Sequence, residues 1–166
     1  SVVMAVRTDG TVVGWGDNYC GSMHPKLANG IYATPQVIPG LRDVTAVSSD
    51  GGSTIVRDSQ GKVYTWGSAL YGAGATSTPA GWVLCDSSPD GSTRWQPTAI
   101  NQYALANVTE VASSVTAFFA LTADGTLYGW GGGAFGLLAN SDGTVRNDIL
   151  QAPSIDQPTP IAGLGR

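Results

Sequence analysis

The chain has 166 residues, enough for one domain with a sizeable core. Charged residues are only 12% and glycines number 23, which excludes coiled coils and polar helical bundles and favours short strands joined by Gly-rich turns. The formal net charge is -4 with eight scattered Lys and Arg, so a nucleic-acid surface is not expected, and 42% hydrophobic residues with five Trp exclude disorder.

Val2 to Arg7 and Thr11 to Trp15 read as a hairpin about Asp9-Gly10, where glycine accepts positive φ at little cost. Tyr19 and Cys20 follow, then a connecting loop from Ser22 to Thr34 that holds His24. Pro35-Gln36-Val37-Ile38 leads to Gly40-Leu41-Arg42-Asp43-Val44. Val44 to Ser48, Ser53 to Arg57 and Lys62 to Trp66 read as further strands, the last two joined at Gln60-Gly61. A second loop is expected from Ala73 to Gln96, followed by Pro97-Thr98-Ala99-Ile100 and Ala104-Leu105-Ala106-Asn107-Val108. Val108 to Ala112, Ala117 to Thr122 and Thr126 to Trp130 read as the next strands, the last two joined at Asp124-Gly125. A third loop runs from Leu137 to Gln157, ahead of Pro158-Thr159-Pro160-Ile161 and Gly163-Leu164-Gly165-Arg166. No window of about twelve residues keeps a 3.6-residue period without Gly or Pro. The most apolar run, Val115 to Leu121, is broken by Thr116 and falls far short of the roughly 20 residues a membrane helix needs, so no membrane span is expected. The chain opens at Ser1 with no signal peptide and no initiator Met, and a processed or excised piece is expected.

These elements repeat. Asp9-Gly10-Thr11-Val12-Val13-Gly14-Trp15-Gly16, Gln60-Gly61-Lys62-Val63-Tyr64-Thr65-Trp66-Gly67 and Asp124-Gly125-Thr126-Leu127-Tyr128-Gly129-Trp130-Gly131 align without gaps. Each copy has a turn glycine five residues before the Trp-Gly pair and another glycine six residues after the Trp, at Gly21, Gly72 and Gly136. The Trp-to-Trp spacings of 51 and 64 residues suit one four-stranded propeller blade per repeat. The expected fold is therefore all-β, a partial or chain-completed β-propeller of three four-stranded repeats. It is one segment over 1–166, with repeats at approximately 1–43, 44–107 and 108–166.

The pattern resembles the regulator of chromosome condensation repeat family, a β-propeller family. Its repeat runs His-Ser-Leu-Ala-Leu-Thr-x-Asp-Gly-x-Val-Tyr-x-Trp-Gly-x-Asn-x-x-Gly, then a Pro and Gly-Leu-x-x-Val. The third copy matches best, through Phe119-Ala120-Leu121-Thr122-Ala123-Asp124-Gly125 into Tyr128 and Trp130-Gly131, and the first copy keeps Asn18 at the family's Asn. The family's His is Val2, Ser53 and Ala117 here, and Arg57 stands where the other copies have Val6 and Leu121. Rings of this family usually have seven blades, which three repeats cannot close. The resemblance therefore implies either a piece of a longer ring or head-to-tail association of further copies of the chain. Family members include exchange factors for small GTPases and secreted enzyme inhibitors.

Chemistry finds little support in the residues. His24 is the only histidine, read as a solvated loop residue, so a His-based triad or multi-His metal site within this chain is excluded. Gly131-Gly132-Gly133-Ala134-Phe135-Gly136 matches GxGxxG, but the repeat register accounts for its end glycines. Asn140, Asp142, Thr144 and Asp148 only faintly match a calcium loop, lacking its sixth-position Gly and twelfth-position Glu. Asn107-Val108-Thr109 is a glycosylation sequon overlapping an expected inner strand, read as buried or unmodified. No enzyme activity and no cofactor or metal is expected. Cys20 and Cys85 allow one disulfide, or two free thiols.

The three connecting loops leave the same point of the repeat and should emerge near one face. Loop residues Tyr19, Leu70, Tyr71, Trp82, Trp95, Phe135, Leu137 and Leu138 are the candidate partner-binding anchors, with local packing as the alternative for the aromatic ones. The expected function is non-catalytic protein–protein interaction, in a secreted or surface bacterial protein such as an adhesin or fibre component. The alternatives are a regulator of a small GTPase, which would be cytoplasmic, and a secreted enzyme inhibitor.

Overall fold

The computed structural model describes residues 1–67, 69–71, 82–87, 93–97, 99–114, 117–132 and 154–161. Strands β1 (Val2–Val6), β2 (Val12–Asp17) and β3 (Ile31–Val37) form one sheet, with a single 3-10 turn at Tyr19–Gly21 between β2 and β3. Strands β4 (Val44–Ser49), β5 (Ser53–Asp58) and β6 (Val63–Gly67) begin a second. The chain then makes an excursion through β7 (Ala69–Tyr71), β8 (Trp82–Ser87) and β9 (Thr93–Pro97), a separate sheet in the order β7-β9-β8. It returns as β10 (Asn101–Tyr103), which completes the second sheet in the order β10-β6-β5-β4. Strands β11 (Val108–Ser113), β12 (Ala117–Thr122), β13 (Leu127–Gly132) and β14 (Ser154–Pro160) form the third, in that order. All pairings are antiparallel.

The repeat persists at the level of register. Val2 pairs Gly16, Ser53 pairs Gly67 and Ala117 pairs Gly131, so each hairpin sets the Trp opposite the same position. Irregularities recur in place too, at Gly14/Gly16 against β3 and at Gly129/Gly131 against β14. Innermost strands β4 and β11 lie side by side, and β1 takes the flank of β4 in the first sheet. Sequentially related antiparallel sheets stacked through their faces are propeller blades.

The core lies in the seams between sheets rather than inside any one of them. Val12, Ile38 and Leu41 of the first repeat pack against Val44, Val56 and Trp66 of the second. Ile55 and Val63 of the second pack against Val108, Ala120 and Trp130 of the third. Trp66 and Trp130 are each only 1% exposed and hold equivalent places in their seams. Trp15, whose sheet has no preceding one among the described residues, is half-buried.

The turn glycines have a second role that turn chemistry alone does not reveal. A side chain on Gly10 would lie 2.8 Å from Cα of Asp43, and one on Gly61 would lie 2.9 Å from the Val108 nitrogen. Both glycines have positive φ, and each hairpin tip presses on the residue that opens the next inner strand. Those opening residues, Asp43 and Asn107, are themselves left-handed at φ 52 and 57. Asp and Asn tolerate that conformation better than other side chains. The Asp43 carbonyl accepts from Ser59 at 2.8 Å and that of Asn107 from Ala123 at 2.9 Å.

The second hairpin lacks the turn aspartate and compensates. In the first and third turns, Asp9 and Asp124 accept the N–H of Thr11 and Thr126, each at 3.0 Å. In the second, Gln60 occupies that place, and Asp58 accepts instead from Gln60 N–H and Lys62 N–H, both at 2.9 Å. The Tyr64 hydroxyl donates to the other Asp58 oxygen at 3.2 Å. Burial, with the Asp58 carboxylate beside it, raises the Tyr64 phenol above its ordinary value.

Candidate functional site

Asn18 organises the first connecting loop. It is fully buried, and its amide donates to the carbonyls of Leu27 (2.9 Å) and Ala28 (3.2 Å). Its side-chain oxygen accepts the N–H of Met23 (3.1 Å) and of His24 (2.7 Å). One side chain thus substitutes for the ladder that a loop lacks. The loop so held lays the Met23 carbonyl over the next blade, where it accepts the indole N–H of Trp66 at 3.1 Å.

His24 is not a solvated loop residue; it is 6% exposed. The Lys26 N–H donates to Nδ1 at 3.1 Å, which leaves the proton on Nε2 to be donated to the Val37 carbonyl at 3.1 Å. Burial pushes its pKa below the ordinary histidine value. Asn107 departs from expectation in the opposite sense: it is exposed, because the left-handed residue opens β11 and only the following Val108 enters the seam.

The first loop and the excursion meet at a disulfide. Cys20, in the 3-10 turn and fully buried, is bonded to Cys85 in β8, with Cα atoms 5.4 Å apart. Asn29 braces the junction: its oxygen accepts the Cys20 N–H at 3.0 Å, and its amide points at the Cys85 sulfur at 3.7 Å. In the chain-entropy view, a cross-link spanning 65 residues of sequence is worth about 4 kcal/mol.

The expected second loop, Ala73 to Gln96, is in part a sheet. Trp82 lies in β8 and pairs Pro97; Trp95 lies in β9 between Leu84 and Ala69. Leu70 and Tyr71 lie in β7, opposite Arg94 and Thr93. These four are strand residues, not loop tips. The sequence Pro89-Asp90-Gly91 between two β-prone runs is a hairpin signal submerged in a Ser- and Gly-rich stretch. Tyr19 is 38% exposed beside Cys20. Phe135, Leu137 and Leu138 lie outside the described residues, as do the calcium-like Asn140 to Asp148 and the third loop up to Pro153, while its last residues, Ser154 to Gln157, are strand β14 and not loop.

Three further apolar residues lie close in sequence to this junction, Val83 and Leu84, which the sequence marks as apolar residues of the second loop, and Ile31, which it does not. Ile31 is 85% exposed, two residues beyond Asn29; Leu84 and Val83, next to Cys85 along β8, are 53% and 43% exposed. Successive strand residues face opposite sides, so both faces of β8 present apolar surface at this point. No residue pattern marked Ile31, because a β-branched residue opening a strand reads as core. Among the described residues, no group of three metal-binding side chains occurs, and no helix is long and apolar enough to cross a membrane.

Solved structures place this architecture. The chain superposes on Prp20p from Saccharomyces cerevisiae with a TM-score of 0.66 and 18% identity, covering 96% of this chain and 36% of that one. Its fold is that of the regulator of chromosome condensation propellers. A second structure of the yeast protein, bound to Kap60, gives 0.65 and 18% identity over 96% and 35% of the two chains. Human WBSCR16 gives 0.58 and 19% identity over 96% and 37%. The chain thus spans little more than a third of these propellers. No protein-family model matches it. Among curated proteins, the "Probable alpha-galactosidase D" of Neosartorya fischeri is 32% identical over 78 residues, which are 47% of this chain and 12% of that one.

Proposed function

We propose that this propeller segment is a non-catalytic protein-binding scaffold whose contact surface lies at the Cys20–Cys85 junction. The observation that carries this reading is the group of exposed apolar side chains there, Tyr19, Ile31, Val83 and Leu84, on strands and a braced turn. Apolar anchors on rigid elements bind at low entropic cost. The fold supports it by analogy: the Prp20p structure is described with binding to Gsp1p and histones, and the second structure with Kap60 bound. Regulation of a small GTPase is the second reading, favoured by that structural likeness. The adhesin or fibre expectation has no support from the comparisons. An oxidising compartment belongs to the proposal, supported by the disulfide.

The test is photo-crosslinking from position 31 or 84 in the full chain, followed by affinity measurement with the captured partner. Leu84→Asp should weaken that partner at least about tenfold while leaving thermal unfolding unchanged. Equal affinity of wild type and variant would refute this surface. Exchange assays on a panel of small GTPases decide the second reading, which fails without acceleration of nucleotide release.

A further inference from the structure

We propose that the Cys20–Cys85 bond is a redox latch: its reduction releases the sheet β7-β9-β8 while the blades stay folded. This inference is independent of the binding reading. Three observations carry it. The released sheet is an excursion, entered after β6 and left before β10, so no blade strand is threaded through it. Apart from the bond, the main approaches of the sheet to the rest of the described residues are narrow ones, β9 beside the 3-10 turn and β6, and β7 beside β13. The bond and its Asn29 brace fasten β8 to the first repeat, 65 residues away in sequence.

The two sulfurs are unequally accessible: Cys20 is fully buried, whereas Cys85 is half-buried. A dithiol thiolate therefore attacks the Cys85 sulfur, the S–S bond breaks and Cys20 leaves as a thiolate. The second thiol of the reductant, as thiolate, then attacks the reductant's sulfur in the mixed disulfide and frees Cys85 as a thiolate. The protein gains two electrons, and the reductant becomes a cyclic disulfide. Once cut, β8 keeps its ladder to β9 but loses its covalent hold on the 3-10 turn. The Asn29 amide is then left to face a thiol free to move away.

Arg94 is the only Lys or Arg from Ala69 to Pro97 and sits in β9, so tryptic cleavage there reports the sheet alone. On the full chain, a dithiol should raise the rate of cleavage at Arg94 at least about tenfold. Hydrogen-exchange protection of β5, β6, β12 and β13 should stay unchanged. Cys85→Ser and the double variant Cys20→Ser/Cys85→Ser should reproduce the reduced behaviour without reductant. Loss of blade protection together with the sheet would overturn the latch, because the bond would then hold the whole fold. Unchanged cleavage at Arg94 on reduction would overturn it equally, because the sheet would then be held by packing.

Discussion

The two seams between blades are built on the same template and closed by different chemistry. In the first, the Trp66 indole N–H is satisfied by the Met23 carbonyl, delivered by the Asn18-organised loop. In the second, Trp130 is packed by Tyr103 and Phe118, with ring centroids 5.1 and 5.8 Å away, and its indole N–H has no partner among the described residues. There Arg57 reaches across instead, donating to the Val108 carbonyl at 3.0 Å. The repeat thus dictates where the large side chain sits, and the connecting loops decide how its polar atom is satisfied.

Substituting the two tryptophans is the strongest way to break this comparison. Trp66→Ala and Trp130→Ala should each cost about 3–5 kcal/mol in chemical denaturation, because both indoles fill a seam completely. The Phe variants should then separate them. Trp66→Phe orphans the Met23 carbonyl and should cost about 1–2 kcal/mol more than Trp130→Phe, which removes a donor with no partner among the described residues. Equal losses for the two Phe variants would mean that the loop contact contributes nothing.

The hairpin tips give a second, smaller contrast. Gly61 and Gly125 share a positive φ, but among the described residues only Gly61 of the two has the next inner strand pressed against it. Gly125→Ala should cost about 1 kcal/mol, the conformational penalty alone. Gly61→Ala adds a clash with backbone and should cost about 2–3 kcal/mol. Unfolding midpoints of the two variants measure the seam contact directly.

The smallest effect is a pH dependence confined to the first seam. His24 is held neutral with a lowered pKa, so the unfolded chain binds a proton that the folded chain resists. Its stabilising contribution is present above the ordinary histidine value of about 6.5 and is lost as pH falls below it. Between pH 7 and 5 the wild type should lose stability, and a His24→Asn variant should lose less over the same interval. Identical pH profiles would place the proton-sensitive group elsewhere.

Hairpins, Trp-Gly pairs and seam positions were legible in the sequence because turn glycines and alternating apolar residues recur in register. Arg57 stood out as a break in an apolar column, and its carbonyl contact explains why the column tolerates it. The buried state of His24 was not legible: it stands between Met23 and Pro25 in a stretch with no strand or helix period, and only the Asn18 network shows that this stretch folds inward. Asp58 hid for a related reason, since its role appears only when the shifted turn bonds are seen. The sheet β7-β9-β8 was obscured because its strands are short and its flanks carry turn residues. The Ile31 and Leu84 surface depends on which neighbour fails to cover them, and local sequence holds no record of that.

The entry and return of the excursion are neighbours: Gly67 ends β6, and Asn101 pairs with Thr65 of that same strand. Gly67 lies two residues beyond that pair, so the two ends are about 8 Å apart, whatever lies between them. The middle blade accordingly works as a socket, in which a graft of another length or shape could be seated without reworking either seam.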